Sequence, residues 1–362
     1  SQPRQAYAHF VDFSGDANAN SVSLTLVDGD DTVEITPAVD LAINVDGGNP
    51  TSSDSVTFHG QGANITVDLE AATIDEAGLG QLSNSGIEHL TVEDAAAAIT
   101  VQSGSGHDTL TAEAVGTAAT DVTVQANGVS PIVLVTGNGV LTISGGSAGV
   151  DTLVTPGQTG NDVIAVGSNS VQNTDLGGTG DSGREIQFDA STINTLQVDA
   201  DSGDDSITVS NTPAIATYLS GGLGADVITG ASGVEIIDGG PGSDVITAGG
   251  GADTVTGGAG NDTLAGGTGD DELFTGDGSD LILWSSGDGS DVVEGGDGTD
   301  LIDVDFTANA DIVVVSSVPV SGTDFLRVRI DDGTDQIDVA GVENLDLDLA
   351  GDADDLTVND LA

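Results

Sequence analysis

Nine acidic side chains recur in one stretch of the sequence: Asp226, Glu235, Asp244, Asp253, Asp262, Asp271, Asp280, Asp291 and Asp300. Successive members lie nine residues apart, except that eleven separate Asp280 from Asp291. Two residues after each acid stands an aliphatic side chain: Ile228, Ile237, Ile246, Val255, Leu264, Leu273, Ile282, Val293 and Ile302. Glycines crowd the residues before the acid, as in GGAGNDTLA (Gly257 to Ala265). Carboxylates brought into a row repel one another unless a cation lies between them. Calcium suits such a row, since it takes about six to eight oxygen ligands in a tolerant geometry.

The elements that would position these acids follow from the same phrase. Glycine reaches backbone angles closed to other residues and lets chains approach closely. Six residues of the form GGxGxD therefore make a turn with exposed carbonyls. The three that follow make a short strand with one inward side chain. One copy buries nothing, whereas stacked copies bury a ladder of aliphatic residues. The copies begin at Gly221, Gly230, Gly239, Ala248, Gly257, Gly266, Thr275, Ser286 and Gly295. One interruption, Trp284 and Ser285, reads as a bulge in one coil, with Trp284 filling or covering it.

The pattern resembles the RTX (repeats-in-toxin) calcium-binding nonapeptide family. In that family two nonads make one turn of a right-handed parallel β-roll. Successive turns on one side share calcium ions, held by the sixth-place Asp and by turn carbonyls. The resemblance implies one row of Asp226, Asp244, Asp262, Asp280 and Asp300, and a second of Glu235, Asp253, Asp271 and Asp291. It makes Asp226, Asp244, Asp253, Asp262, Asp271, Asp280, Asp291 and Asp300 the expected metal ligands. Glu235, with its longer arm, departs from the pattern. The gaps along the two rows give about seven ions, whose charge offsets roughly a quarter of the protein's own. The resemblance covers Gly221 to Asp303, about a quarter of the chain.

That protein charge is large. The 362 residues carry 49 Asp, 11 Glu, four Arg and no Lys, for a formal net charge of -56. Such a chain repels nucleic acid and anionic membranes, and cations are its natural partners. There is no Cys for disulfides or thiolate metal sites. No apolar run of about 18 residues exists to span a membrane. The absence of Met, with no signal peptide visible at Ser1, leads us to expect a processed end or a piece of something longer.

Upstream lie looser echoes of the nonad: LVDGDDTVE (Leu26 to Glu34), SGSGHDTLT (Ser103 to Thr111), GSAGVDTLV (Gly146 to Val154), GQTGNDVIA (Gly157 to Ala165) and ADSGDDSIT (Ala200 to Thr208). Between them run alternating segments rich in Val, Thr and Ile, such as NITVDL and DVTVQA. The expected fold is all-β: a right-handed parallel β-roll or β-helix (solenoid) with flanking β-rich segments. Residues 1–200 are expected to form a solenoid-like region, 201–303 the calcium-binding roll, and 304–362 a β cap carrying a possible secretion signal. For the N-terminal region an Ig-like sandwich stands as the alternative.

No catalytic constellation emerges. His9, His59, His89 and His107 form no HExxH and no ligand pair. Gly145 to Gly149 spells GxSxG, but a strand-like VDTLV follows where a nucleophile elbow needs a helix. The outward places of the nonads show no regular Thr or Asn face, which sets ice binding aside. The expectation is a secreted, calcium-binding, non-enzymatic structural protein at the cell surface or outside it. It would be a subunit of a filament, surface layer or matrix, with copies of itself as partners, neither binding nucleic acid nor inserting into a membrane. The aromatic AYAHFVDF (Ala6 to Phe13) is the candidate strand lent to a neighbour. The alternatives are a calcium-rigidified spacer of a large surface adhesin, or the RTX secretion module of an exoenzyme.

Overall fold

A computed structural model describes residues 21–26, 30–37, 41–48, 54–93, 98–114, 121–127, 132–136, 140–146, 150–173, 185–306, 312–320, 323–330, 336–342, 344–348 and 355–358. Every regular element among them is a strand. The sequence explains this: Gly, Asp, Thr and Val are poor helix formers, and the β-branched ones pack well on a pleated surface. Among the described residues no helix is long and apolar enough to cross a membrane.

The chain forms two compact units. The first comprises Ser1–Pro156, Asn169–Gln172 and Ser182–Leu196, and the second Gly157–Ser168, Asn173–Asp181 and Gln197–Ala362. The nonad array lies inside the second.

In the second unit the strands form two parallel stacks. One runs through Val163–Val166, Ser206–Val209, Val227–Thr229, Val245–Gly250, Thr263–Thr268, Leu281–Ser285, Leu301–Asp305 and Asn344–Asp348. The other runs through Ala216–Ser220, Glu235–Pro241, Thr254–Ala259, Glu272–Gly278, Ser290–Glu294 and Gln336–Ala340. Ile228 pairs with Ile246, Ile246 with Leu264 and Leu264 with Ile282, so one coil takes two nonads. These aliphatic residues, with Ile237, Val255, Leu273, Val293 and Ile302, are buried and form the core ladder. The ladder continues beyond the array, to Ile207 and Ile164 on one side and Val339 on the other. The last coil accommodates its extra length as an antiparallel hairpin, Ile312–Val320 with Thr323–Ile330, laid against Gln336–Ala340.

The first unit is built on the same plan with uneven coils. Val56, Leu90 and Val133 stack across parallel strands, as do Ile65, Ile99, Leu141 and Ile186, all buried. Antiparallel excursions such as Thr109–Ala114 with Val122–Ala126 lengthen individual coils. Parallel rungs in register make this region a solenoid and not the antiparallel Ig-like sandwich. The segment Ala6 to Phe13, the serine of the GxSxG phrase, the side chains of Arg327 and Arg329 and the chain's last four residues lie outside the described residues.

Candidate metal centre

The corners of the second unit's coils position the acids. At each corner the main-chain N–H of one acid donates to Oδ1 of the acid one coil on. Along the first row these bonds link Asp226 to Asp244 at 2.7 Å, Asp244 to Asp262 at 2.9 Å, Asp262 to Asp280 at 2.8 Å and Asp280 to Asp300 at 2.9 Å. Along the second, Glu235, Asp253, Asp271 and Asp291 are linked in turn at 2.8 Å each. The structure thus brings all eight expected ligands into the two rows, and Glu235 with them. None is more than 2% exposed.

Close approach of the corners is what the glycines permit. A Cβ on Gly242, Gly260 or Gly278 would overlap the carbonyl oxygen of Gly224, Gly242 or Gly260, the corresponding glycine one coil earlier. Each corner is therefore roofed by main-chain oxygen.

The carboxylates are incompletely satisfied. Oδ2 of Asp226, Asp244, Asp253, Asp262, Asp271 and Asp280 and Oε2 of Glu235 are buried without a hydrogen-bond partner. Burying a charged oxygen with nothing to compensate it is costly. Burial accordingly pushes Asp244 and Asp271 up to about 6, helped by neighbouring carboxylates and opposed by the hydrogen bond from the preceding coil. Glu235 rises to about 6 through burial and the charge of Asp253. Burial also raises Asp226, Asp253 and Asp262.

Buried, uncompensated oxygens in rows are the donor set a hard divalent cation needs, and this is the ground on which calcium fits. Among the described residues no three Asp, Glu or His side chains cluster as a metal-binding group. Each coil contributes one acid per corner, so main-chain carbonyls would have to complete the coordination.

Several members of the pattern were not singled out from the sequence. The first row extends upstream: Asp162 donates its N–H to Asp205 at 2.6 Å, and Asp205 to Asp226 at 2.8 Å. Asp205 is pushed up to about 7 by burial and then by Asp226, Asp162 and Asp204. In the first unit Asp31 donates to Asp54 at 2.9 Å and Asp54 to Glu88 at 2.8 Å, while Asp108 donates to Asp151 at 2.8 Å. Except for Asp54 and Glu88, these acids hold the sixth place of the echo phrases, which was the available signal. Asp291 is different in kind: its Oδ2 accepts the indole N–H of Trp284 at 2.6 Å.

Residues 216–246, 247–282 and 285–306 match the family model described as RTX calcium-binding nonapeptide repeat (4 copies). This segment is an RTX repeat array. RTX nonapeptide repeats bind calcium, several ions per repeat region. The matched segments cover about a quarter of the chain. Comparison with curated proteins finds no match.

Proposed function

We propose that this chain is a secreted, calcium-folded structural protein, a subunit of an extracellular filament, surface layer or matrix, and not an enzyme. The observation that carries the calcium part is the rows of buried carboxylate oxygens without partners, stacked coil upon coil. Without a cation each row is a column of like charges in a dry corner; with one, the same atoms tie successive coils together. Such a site does not exist in the unfolded chain, so binding energy becomes folding energy.

RTX repeat proteins are typically secreted, and an array whose folding waits for calcium suits that route. For assembly, the support is the outer face of the roll. Val227 and Val245 are neighbours across adjacent coils and are 46% and 45% exposed. Tyr218 and Ile236 form a similar exposed pair on the other stack. These apolar pairs stand on an acidic surface, where calcium could also bridge copies by screening their charge. Electron microscopy of the purified chain, with calcium and after chelation, tests this reading. Filaments or sheets that dissolve in chelator are expected; monodisperse rods in calcium would overturn the assembly and favour a spacer.

A further inference from the structure

Three features mark a corner able to hold an ion in this roll. The N–H of one acid meets Oδ1 of the next; their second oxygens are buried and uncompensated; and the turn glycines sit on carbonyls of the preceding coil. These features do not coincide with the nonapeptide motif at either end of the array.

Upstream, the corner between Asp205 and Asp226 has all three. Asp205 donates to Asp226 at 2.8 Å. Oδ2 of both residues is buried without a hydrogen-bond partner, and Asp205 is 2% exposed. Side chains on Gly222 and Gly224 would overlap the carbonyls of Asp201 and Gly203. The motif is only partly kept on the upstream coil, where Ala200 and Asp201 replace its first two glycines while Gly203, Asp205 and Ile207 hold their places. The backbone keeps the motif's shape nonetheless. Asp201 holds φ at +71°, a left-handed angle that residues with side chains adopt at a cost. Ser202 forms a parallel bridge with Leu223 of the next coil.

Downstream, the corner between Asp271 and Asp291 keeps the motif, and the N–H of Asp271 still meets Asp291 Oδ1 at 2.8 Å, but the second oxygen of Asp291 is no longer uncompensated. Leu283 pairs with Ala265, so Trp284 follows in register over Gly266. A Cβ on Gly266 would overlap Oδ2 of Asp271, so glycine there leaves the carboxylate its space. Trp284 fills the equivalent space in its own coil and donates to Asp291 Oδ2 at 2.6 Å. The indole is 2% exposed and packs edge-on against Phe306 with ring centres 6.4 Å apart. The first half of the turn lifts away, while Gly289 still sits on the Gly269 carbonyl as at the other corners. Asp288 donates its N–H to the Ser285 carbonyl at 3.0 Å, closing a local turn, and a side chain on Gly287 would meet open space. At Gly240, Gly249, Gly258, Gly267, Gly276 and Gly296 the same substitution would strike a carbonyl of the preceding coil.

We infer that calcium follows the free carboxylate oxygens and not the motif: the corner between Asp226 and Asp205, the latter upstream of the matched array, binds one ion, and the corner between Asp271 and Asp291, inside it, binds none, its carboxylate being held by Trp284. The indole N–H supplies the positive end that the ion supplies elsewhere, and the second row ends there.

The inference rests on the calcium reading of the array, and the experiment separates the two. Bound calcium is counted by equilibrium dialysis on the full chain and on its Asp205→Asn and Asp291→Asn variants. Loss of one ion in Asp205→Asn and an unchanged count in Asp291→Asn are expected. An unchanged count in Asp205→Asn overturns the upstream site, and a lost ion in Asp291→Asn overturns the indole's role. A wild-type chain that takes up no calcium overturns the calcium reading itself. Two measurements on the wild type stand if a variant fails to fold. Calcium anomalous density in crystals should lie between Asp205 and Asp226 and be absent beside Asp291; the reverse overturns the inference. The N–H resonance of the single tryptophan should stay downfield and exchange slowly in saturating calcium. An upfield, fast-exchanging indole would show that an ion has displaced it.

Discussion

The main-chain N–H of Asp262 donates to Oδ1 of Asp280 at 2.8 Å, while the second carboxylate oxygen of each residue is buried with no partner. One oxygen thus sets the register between coils and the other remains for a cation. On the proposed reading, the second makes the array conditional on calcium.

Chelation should therefore unfold the array. Circular dichroism of the full chain is expected to lose β signal in excess chelator and regain it on adding calcium. Magnesium should restore much less, because it demands a smaller, near-octahedral shell and gives up water reluctantly. An unchanged spectrum after chelation would count against the metal-dependent fold.

The calcium-free chain should become more stable as pH falls. Asp244 and Asp271 are pushed up to about 6, and Asp205 and Asp291 to about 7, chiefly by burial, from an ordinary value of 3.8. Between those limits the folded state binds more protons than the unfolded one, so stability falls as pH rises from about 4 to about 7 and levels off above. Neutralising part of the -56 charge acts in the same direction. Circular dichroism in excess chelator at pH 5.5 and 7.5 checks this; more residual β signal at pH 5.5 is expected. Calcium affinity should move oppositely, since the ion needs deprotonated carboxylates.

Much of this was legible in the sequence where one residue type repeats at one place. The run from Ile228 to Ile302 announced both the coil length and the core, because a place that always points inward admits only aliphatic residues. The eighteen-residue step between Asp226 and Asp244 came with it. The coils outside the array were harder to read. From Asp162 to Asp205 the step is 43 residues, since an excursion leaves the coil and returns, and no fixed period survives that. Glu235 looked doubtful for its length, yet it joins the second row because the row's register is set by main-chain N–H groups. The bond from Trp284 to Asp291 was invisible, for it depends on how two inserted residues bend a corner.

Truncating the core ladder should weaken the roll without touching the acids. Leu264 is fully buried between Ile246 and Ile282. Leu264→Ala removes that packing and leaves a cavity, at a cost of about 2 to 5 kcal/mol. Chemical denaturation in saturating calcium should show the loss while the number of bound ions stays the same. A loss below 1 kcal/mol would mean that the ladder is not the core of the roll.

Two alanine substitutions at turn glycines should differ sharply, although both glycines have positive φ. Gly260 has φ +139°, and its Cβ would overlap the carbonyl oxygen of Gly242. Gly260→Ala must push two coils apart at the corner where Asp244 and Asp262 meet, so it costs backbone strain, core contact and metal geometry together. Gly287 has φ +100°, but a side chain there meets open space on the lifted turn beside Trp284. Gly287→Ala carries only the local conformational cost. The calcium concentration at the folding midpoint, followed by circular dichroism, should rise at least tenfold for Gly260→Ala and less than threefold for Gly287→Ala. Equal shifts would mean that backbone angle alone accounts for the glycines and that contact between coils does not govern calcium affinity.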